Sequence, residues 1–144
     1  MNRSLNEIIF SGIVAVRDKL LQLPEPLRLE SGEPSFDTPE HIKQAMVKPM
    51  ADNRTHYGPS TGINPLREAC LKKLTERNGI SYLNDINPVA ITNGGMHALY
   101  VTFSSILNEG DEVIVSQPNW AASGWTITLC GGKLVKVPLK AGRG

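Results

Sequence analysis

The most suggestive stretch of this chain is Ile91-Thr92-Asn93-Gly94-Gly95-Met96-His97-Ala98-Leu99-Tyr100. A short apolar run passes through a polar, Gly-rich turn straight into a helical pattern. The first amides of a helix have no acceptor within it, and the positive dipole end lies behind them, so such a turn can hold an anion. Glycine also lets backbone approach a phosphate closely. From Met96 to Asn108 there is no Asp, Glu, Lys or Arg, so no carboxylate repels an anion there. The competing reading is a tight turn that needs glycine for sterics alone. The stretch is neither a Walker A loop nor a full G-x-G-x-x-G.

Three further features can do chemistry. Gln117-Pro118-Asn119-Trp120 follows the apolar run Glu112 to Ser116, at the strand end where open α/β sheets place ligands. The indole of Trp120 can stack on a flat aromatic ligand, or it can simply pack into a core. Tyr57, within His56-Tyr57-Gly58-Pro59, can donate its phenol to a phosphate or stand as a surface turn residue. Gly32-Glu33-Pro34 reads as an ordinary turn before a helix. His41, His56 and His97 have no metal-ligand spacing, and the carboxylates suggest no acid–base dyad. Cys70 lies on the apolar stripe of its helix and reads as structural.

The elements that must position these residues follow from periodicity and punctuation. Leu5, Ile8, Ile9, Gly12, Ile13, Val16 and Leu20 predict a one-faced helix over 4–21, ended by Pro24 and Pro26. Thr38-Pro39-Glu40 predicts a second helix start, with the Thr hydroxyl as cap, and Pro49 its end. Asn64-Pro65 starts a third helix, which stops at Asn78-Gly79. Short apolar runs at Val89–Thr92, Glu112–Ser116 and Leu134–Val137 then alternate with helical stretches over 95–107 and about 120–129. Strand, helix, strand, helix, strand predicts parallel βαβ units and an α/β layer. Three strands with helices only after them close poorly, and the chain ends where another βα unit is expected.

Composition narrows the class. The 144 residues suffice for one domain with a sizeable core. Fifteen Lys and Arg against 14 Asp and Glu leave a net charge of +1, which gives no nucleic-acid-binding field. No apolar run reaches the length of a membrane span, and the N-terminus lacks the apolar stretch of a signal peptide. Cys70 and Cys130 read as two free thiols, so the expected setting is the reducing cytoplasm.

Taken in order, four runs resemble one family. They are Gly32-Glu33-Pro34-Ser35-Phe36-Asp37-Thr38-Pro39; His56-Tyr57-Gly58-Pro59-Ser60-Thr61-Gly62 leading into Leu66-Arg67-Glu68-Ala69; Thr92 to Leu99; and Gly110-Asp111-Glu112-Val113-Ile114-Val115 with Pro118-Asn119-Trp120. Together they resemble the class I/II aminotransferases, fold type I pyridoxal-phosphate enzymes similar to aspartate aminotransferase. The resemblance runs from about Leu5 to Val137.

It implies an α/β fold. An N-terminal helix and connector, residues 1–34, would form a small-domain or dimer arm. Residues 35–144 would be the first part of a three-layer αβα large domain that binds the cofactor. The resemblance further implies that Gly95 and Met96, with Gly94 and His97 beside them, hold the phosphate of pyridoxal 5'-phosphate through backbone N–H groups. Trp120 would stack on the pyridine ring. Tyr57 would reach the phosphate of the neighbouring subunit's cofactor in a homodimer. Gly32 would offer backbone contact to the substrate carboxylate. Met96 stands where many members have Ser or Thr, and Asn119 where an aromatic is frequent; the main-chain donors are unaffected.

The implied activity is transfer of an amino group between an amino acid and a 2-oxo acid. The family's catalytic lysine, the acid paired with the pyridinium nitrogen, and the arginine that grips substrate are expected beyond Gly144. None of Lys19, Lys43, Lys48, Lys72, Lys73, Lys133, Lys136 and Lys140 stands in the family's lysine motif. The chain alone is therefore expected to be inactive, with an open sheet edge, bare apolar helix faces and poor solubility. The alternatives are a non-catalytic phosphate-ligand-binding or interaction module derived from this fold, and an unrelated nucleotide-binding α/β domain. The second wants an acid near the end of the strand that closes in Ser116-Gln117-Pro118, and none is there.

Overall fold

In a computed structural model of the chain, residues 12–81, 87–140 and 142 are described. The elements in chain order are α1 (Gly12–Leu20), α2 (Glu40–Ala51), α3 (Asn64–Asn78), α4 (Gly95–Ile106), β1 (Glu112–Gln117), α5 (Ala121–Leu129) and β2 (Lys133–Pro138). The expected first helix is seen as α1, and its positions 4–11 lie outside the described residues. The chain divides into two compact units, Met1–Gly32 with Asn93–Gly144, and Glu33–Thr92.

In the first unit, β1 and β2 pair in parallel, from Glu112 beside Lys133 to Gln117 beside Pro138. The intervening α5 makes this the βαβ crossover that the alternating pattern predicts. Helix α5 supplies the buried centre: Ile127 is fully buried, and Ala122 and Thr126 nearly so. Thr126 satisfies its own hydroxyl by donating to Ala122 O at 2.8 Å. The helix lies close on the sheet, because a Cβ on Gly124 would stand 3.0 Å from Leu134 Cδ2. It ends in a Schellman turn. Gly131 N–H donates to Thr128 O, Gly132 N–H donates to Ile127 O, and Gly131 takes φ +83°. A Cβ on Gly132 would meet Ile127 Cγ2 at 2.9 Å and Leu107 Cδ1 at 3.0 Å, so this turn is also where α4's end meets α5.

Along β1, Val113 and Val115 are half-buried while Ile114 between them is 73% exposed. One face of the ribbon is covered and the other is open.

In the second unit, α3 starts with proline in its first turn and stops at Gly79, whose φ of +66° is the left-handed conformation glycine tolerates. The amides of Gly79 and Ile80 both donate to Leu74 O.

Three expectations are corrected. Residues Val89–Thr92 form no strand; they run as irregular backbone, and among the described residues the sheet has two strands. Their bonds go elsewhere: Ile91 N–H donates to Thr61 O at 2.9 Å. Pro49 does not end α2, which continues to Ala51. Proline near a helix end removes one donor without stopping the turn, and Pro49 O still accepts from Arg54 N–H at 2.9 Å. Thr38 is not the cap of α2; Pro39 holds that position with no side-chain cap bond, and its carbonyl accepts from Ile42 and Lys43.

Candidate functional site: an open helix start in the first unit

Helix α4 begins at a turn that only glycine fits easily. Gly94, its N-cap, has φ +83° and ψ 173°. Gly95 sits inside the helix. A Cβ built on either residue would meet nothing within 4 Å. That separates the two readings of this turn. Backbone conformation explains Gly94, but crowding explains neither glycine, since there is none. What the two residues share is room for a Cβ, so no side chain crowds the turn at the start of α4.

The surroundings suit an anion. The first turn of α4 carries no acid, and its N-cap, Gly94, has no side chain with which to occupy the first amides. Helix geometry leaves the amides of Gly95, Met96 and His97 without an intrahelical acceptor. Open space, free donors and the helix dipole are the chemistry a phosphate group requires, so the residues present fit one. Met96 is partly exposed and adds no polar side-chain atom.

His97 plays a part the sequence did not reveal. Its Nδ1 accepts a hydrogen bond from the backbone N–H of Asn93 at 3.0 Å. His97 is the third residue of the helix, and its bond reaches one residue further back than a capping box, past the N-cap Gly94 to Asn93.

Trp120 is the N-cap of α5, immediately beyond β1, and its N–H donates to Asn119 Oδ1 at 2.6 Å. Its side chain is 54% exposed, so it is no core tryptophan. It belongs to the same unit as Gly94, Gly95, Met96 and His97. Gly32 closes the connector of that unit in open space.

Tyr57 belongs to the second unit, and its side chain is fully exposed. The loop that carries it is tied down at its far end. A Cβ on Gly62, at φ +99°, would fall 2.5 Å from Ile91 Cγ1. Arg67 Nε donates to Val89 O at 2.7 Å, and Nη2 to Asn87 O at 2.6 Å. Arg67 thus fixes the segment that continues into Asn93, a role no spacing in the sequence signals.

Among the described residues, no group of three or more His, Cys, Asp or Glu could hold a metal, and no helix is long and apolar enough to cross a membrane. Cys70 and Cys130 are free. Burial pushes the Cys130 thiol up from its ordinary pKa. The Arg28 guanidinium holds the Glu30 carboxyl below its ordinary range through a 2.7 Å bond to Oε1.

The family model "Aminotransferase class I and II" matches residues 24–143. The chain is 38% identical over 141 residues to the aspartate/prephenate aminotransferase of Thermus thermophilus, covering 95% of this chain and 36% of that protein. It is 37% identical over 131 residues to the aspartate aminotransferase of Geobacillus stearothermophilus, covering 88% and 33%. Among solved structures it is similar to a Thermus thermophilus aspartate aminotransferase mutant, with TM-score 0.84 and 38% identity over 96% of this chain and 37% of that one. It is also similar to the aspartate aminotransferase of Rhizobium meliloti, with TM-score 0.86 and 28% identity over 98% and 36%. The chain spans little more than a third of the length of these relatives.

Proposed function

The chain belongs to the class I and II aminotransferases, and from that premise we propose that it supplies the phosphate and ring cradle of a pyridoxal-phosphate enzyme that moves an amino group between an amino acid and a 2-oxo acid. The observation that carries this reading is the start of α4, where a Cβ on Gly94 or Gly95 would meet nothing within 4 Å and the first turn, with its unpaired helix amides, carries no acid.

When bound, the cofactor supplies an electron sink for breaking a bond at the substrate's α-carbon. The residues of this chain bind and orient. The amides of Gly95 and Met96, flanked by Gly94 and His97, grip the phosphate and fix one end of the ring. Trp120, exposed at the strand end, would stack on the ring face and exclude water from it. Tyr57 donates its phenol to the phosphate held by a second subunit, and Gly32 offers backbone to the substrate carboxylate. Residues 1–34 form the dimer or small-domain arm, and residues 35–144 the opening of the cofactor-binding domain. The two free cysteines accord with a reducing cytoplasm. None of the chain's lysines occupies the family's lysine motif, so the 144 residues alone bind without catalysing transfer.

The test is a pair of titrations of the 144-residue chain, one with pyridoxal 5'-phosphate and one with pyridoxal. The phosphate cradle predicts binding at least about ten-fold tighter for the phosphorylated ligand, the worth of one charge-assisted hydrogen bond. Equal affinities overturn the reading and leave an interaction module of this fold.

A further inference from the structure

His97 lies at the cradle without being one of its main-chain donors alone. Its Nδ1 accepts the Asn93 N–H at 3.0 Å, across the turn Asn93-Gly94-Gly95-Met96. An accepting nitrogen carries no proton, so the neutral ring holds its proton on Nε2. Two consequences follow. The Asn93 amide is already committed and cannot serve an anion. The bond also ties the residue before the turn to the helix after it. Two adjacent glycines in open space cost more entropy to hold still than any other pair.

We propose that His97 is a positioning residue that presets the Gly94–Gly95 turn through this bond, so that Gly95 and Met96 present their amides to phosphate before it arrives. The proposal rests on reading the turn as a phosphate cradle.

Three measurements on the full 144-residue chain test it. Imidazole nitrogen shifts in the free wild-type chain report the tautomer, and a proton on Nε2 is expected. Amide spectra during titration with pyridoxal 5'-phosphate should move Gly95 and Met96 and leave Asn93 nearly still. Binding is then compared in two variants. His97→Asn keeps an acceptor, Oδ1, at the place of Nδ1 and should bind within about two-fold of wild type. His97→Leu should bind pyridoxal 5'-phosphate about five-fold more weakly, the size of a lost helix cap, with its affinity for pyridoxal unchanged. A merely structural role would lower both affinities together.

A proton on Nδ1 overturns the proposal, even if His97→Leu fails to fold. So does a His97→Leu chain that binds the phosphorylated ligand as tightly as wild type. If the wild-type chain itself fails to prefer pyridoxal 5'-phosphate over pyridoxal, the cradle reading falls, and the role assigned to His97 falls with it.

Discussion

Arg67 grips Val89 from across the second unit: its Nε lies 2.7 Å from the Val89 carbonyl while Nη2 reaches Asn87 O at 2.6 Å. Two charged donors on one planar fork hold a segment that has no sheet partner among the described residues. Replacing Arg67 with Met leaves two part-buried carbonyls without these donors and should cost about 2 kcal/mol in urea unfolding. Arg67→Lys should recover less than half of that, since an ammonium cannot span both carbonyls. Exchange of the Ile91 amide, bonded to Thr61 O, should quicken in both variants.

Gly62 and Gly95 should respond in opposite ways to alanine. At Gly62 the left-handed φ and the approach of Ile91 leave no room, so Gly62→Ala should lower stability by about 2 kcal/mol or more. At Gly95 the φ is ordinary and a Cβ meets nothing, so Gly95→Ala should leave stability intact or slightly raised. If a phosphate is held against the Gly95 backbone as proposed, the same methyl should weaken pyridoxal 5'-phosphate binding about ten-fold. Thermal melts beside ligand titrations separate the two effects.

Glu30 gives a pH dependence of stated sign. Its side chain is only 5% exposed, Arg28 binds Oε1, and Oε2 has no hydrogen-bond partner. Arg28 holds its pKa below the ordinary carboxylate value. A depressed folded-state pKa stabilises the fold above the unfolded-state value, and that stabilisation fades as pH falls through the folded-state value. Stability should therefore decline on acidification below the usual carboxylate range, and Arg28→Gln should flatten that decline. Carboxyl carbon shifts of Glu30 should titrate at higher pH in the Arg28→Gln variant.

Cys130 should alkylate slowly. Burial raises its thiol, and Sγ lies 3.9 Å from the Tyr100 carbonyl. Iodoacetamide labelling near pH 8, read by peptide mapping, should be slower at Cys130 in the native chain than in urea.

The punctuation of α3 was legible, while that of α2 was not, since Pro49 lies inside it and Pro39 stands where Thr38 was expected to cap it. The Asn64-Pro65 start and the Asn78-Gly79 stop bound α3 within the same residues in sequence and structure, because proline and glycine act through local sterics. The β1–α5–β2 crossover was legible for a similar reason, its elements being short and sharply separated. Val89–Thr92 was not, since an apolar run of four residues carries no record of whether a neighbouring strand exists to pair with it. The Arg67 clamp was equally hidden, for its acceptors are backbone carbonyls some twenty residues away. At the candidate site, residue types pointed to Gly94, Gly95 and Trp120. Periodicity could not say that Trp120 is exposed, or that His97 turns back on Asn93 instead of packing.

The proposed role most directly tested is that of Trp120, which would lie over the ring of a bound vitamin B6 phosphate. The chain has two tryptophans, Trp120 and Trp125, so Trp125→Phe and Trp120→Phe each leave a single emitter. Titrated with pyridoxal 5'-phosphate, the Trp125→Phe chain should lose most of its fluorescence in a saturable curve, while the Trp120→Phe chain should change little. Equal quenching of the two variants, or none in Trp125→Phe while ligand is bound, would contradict it.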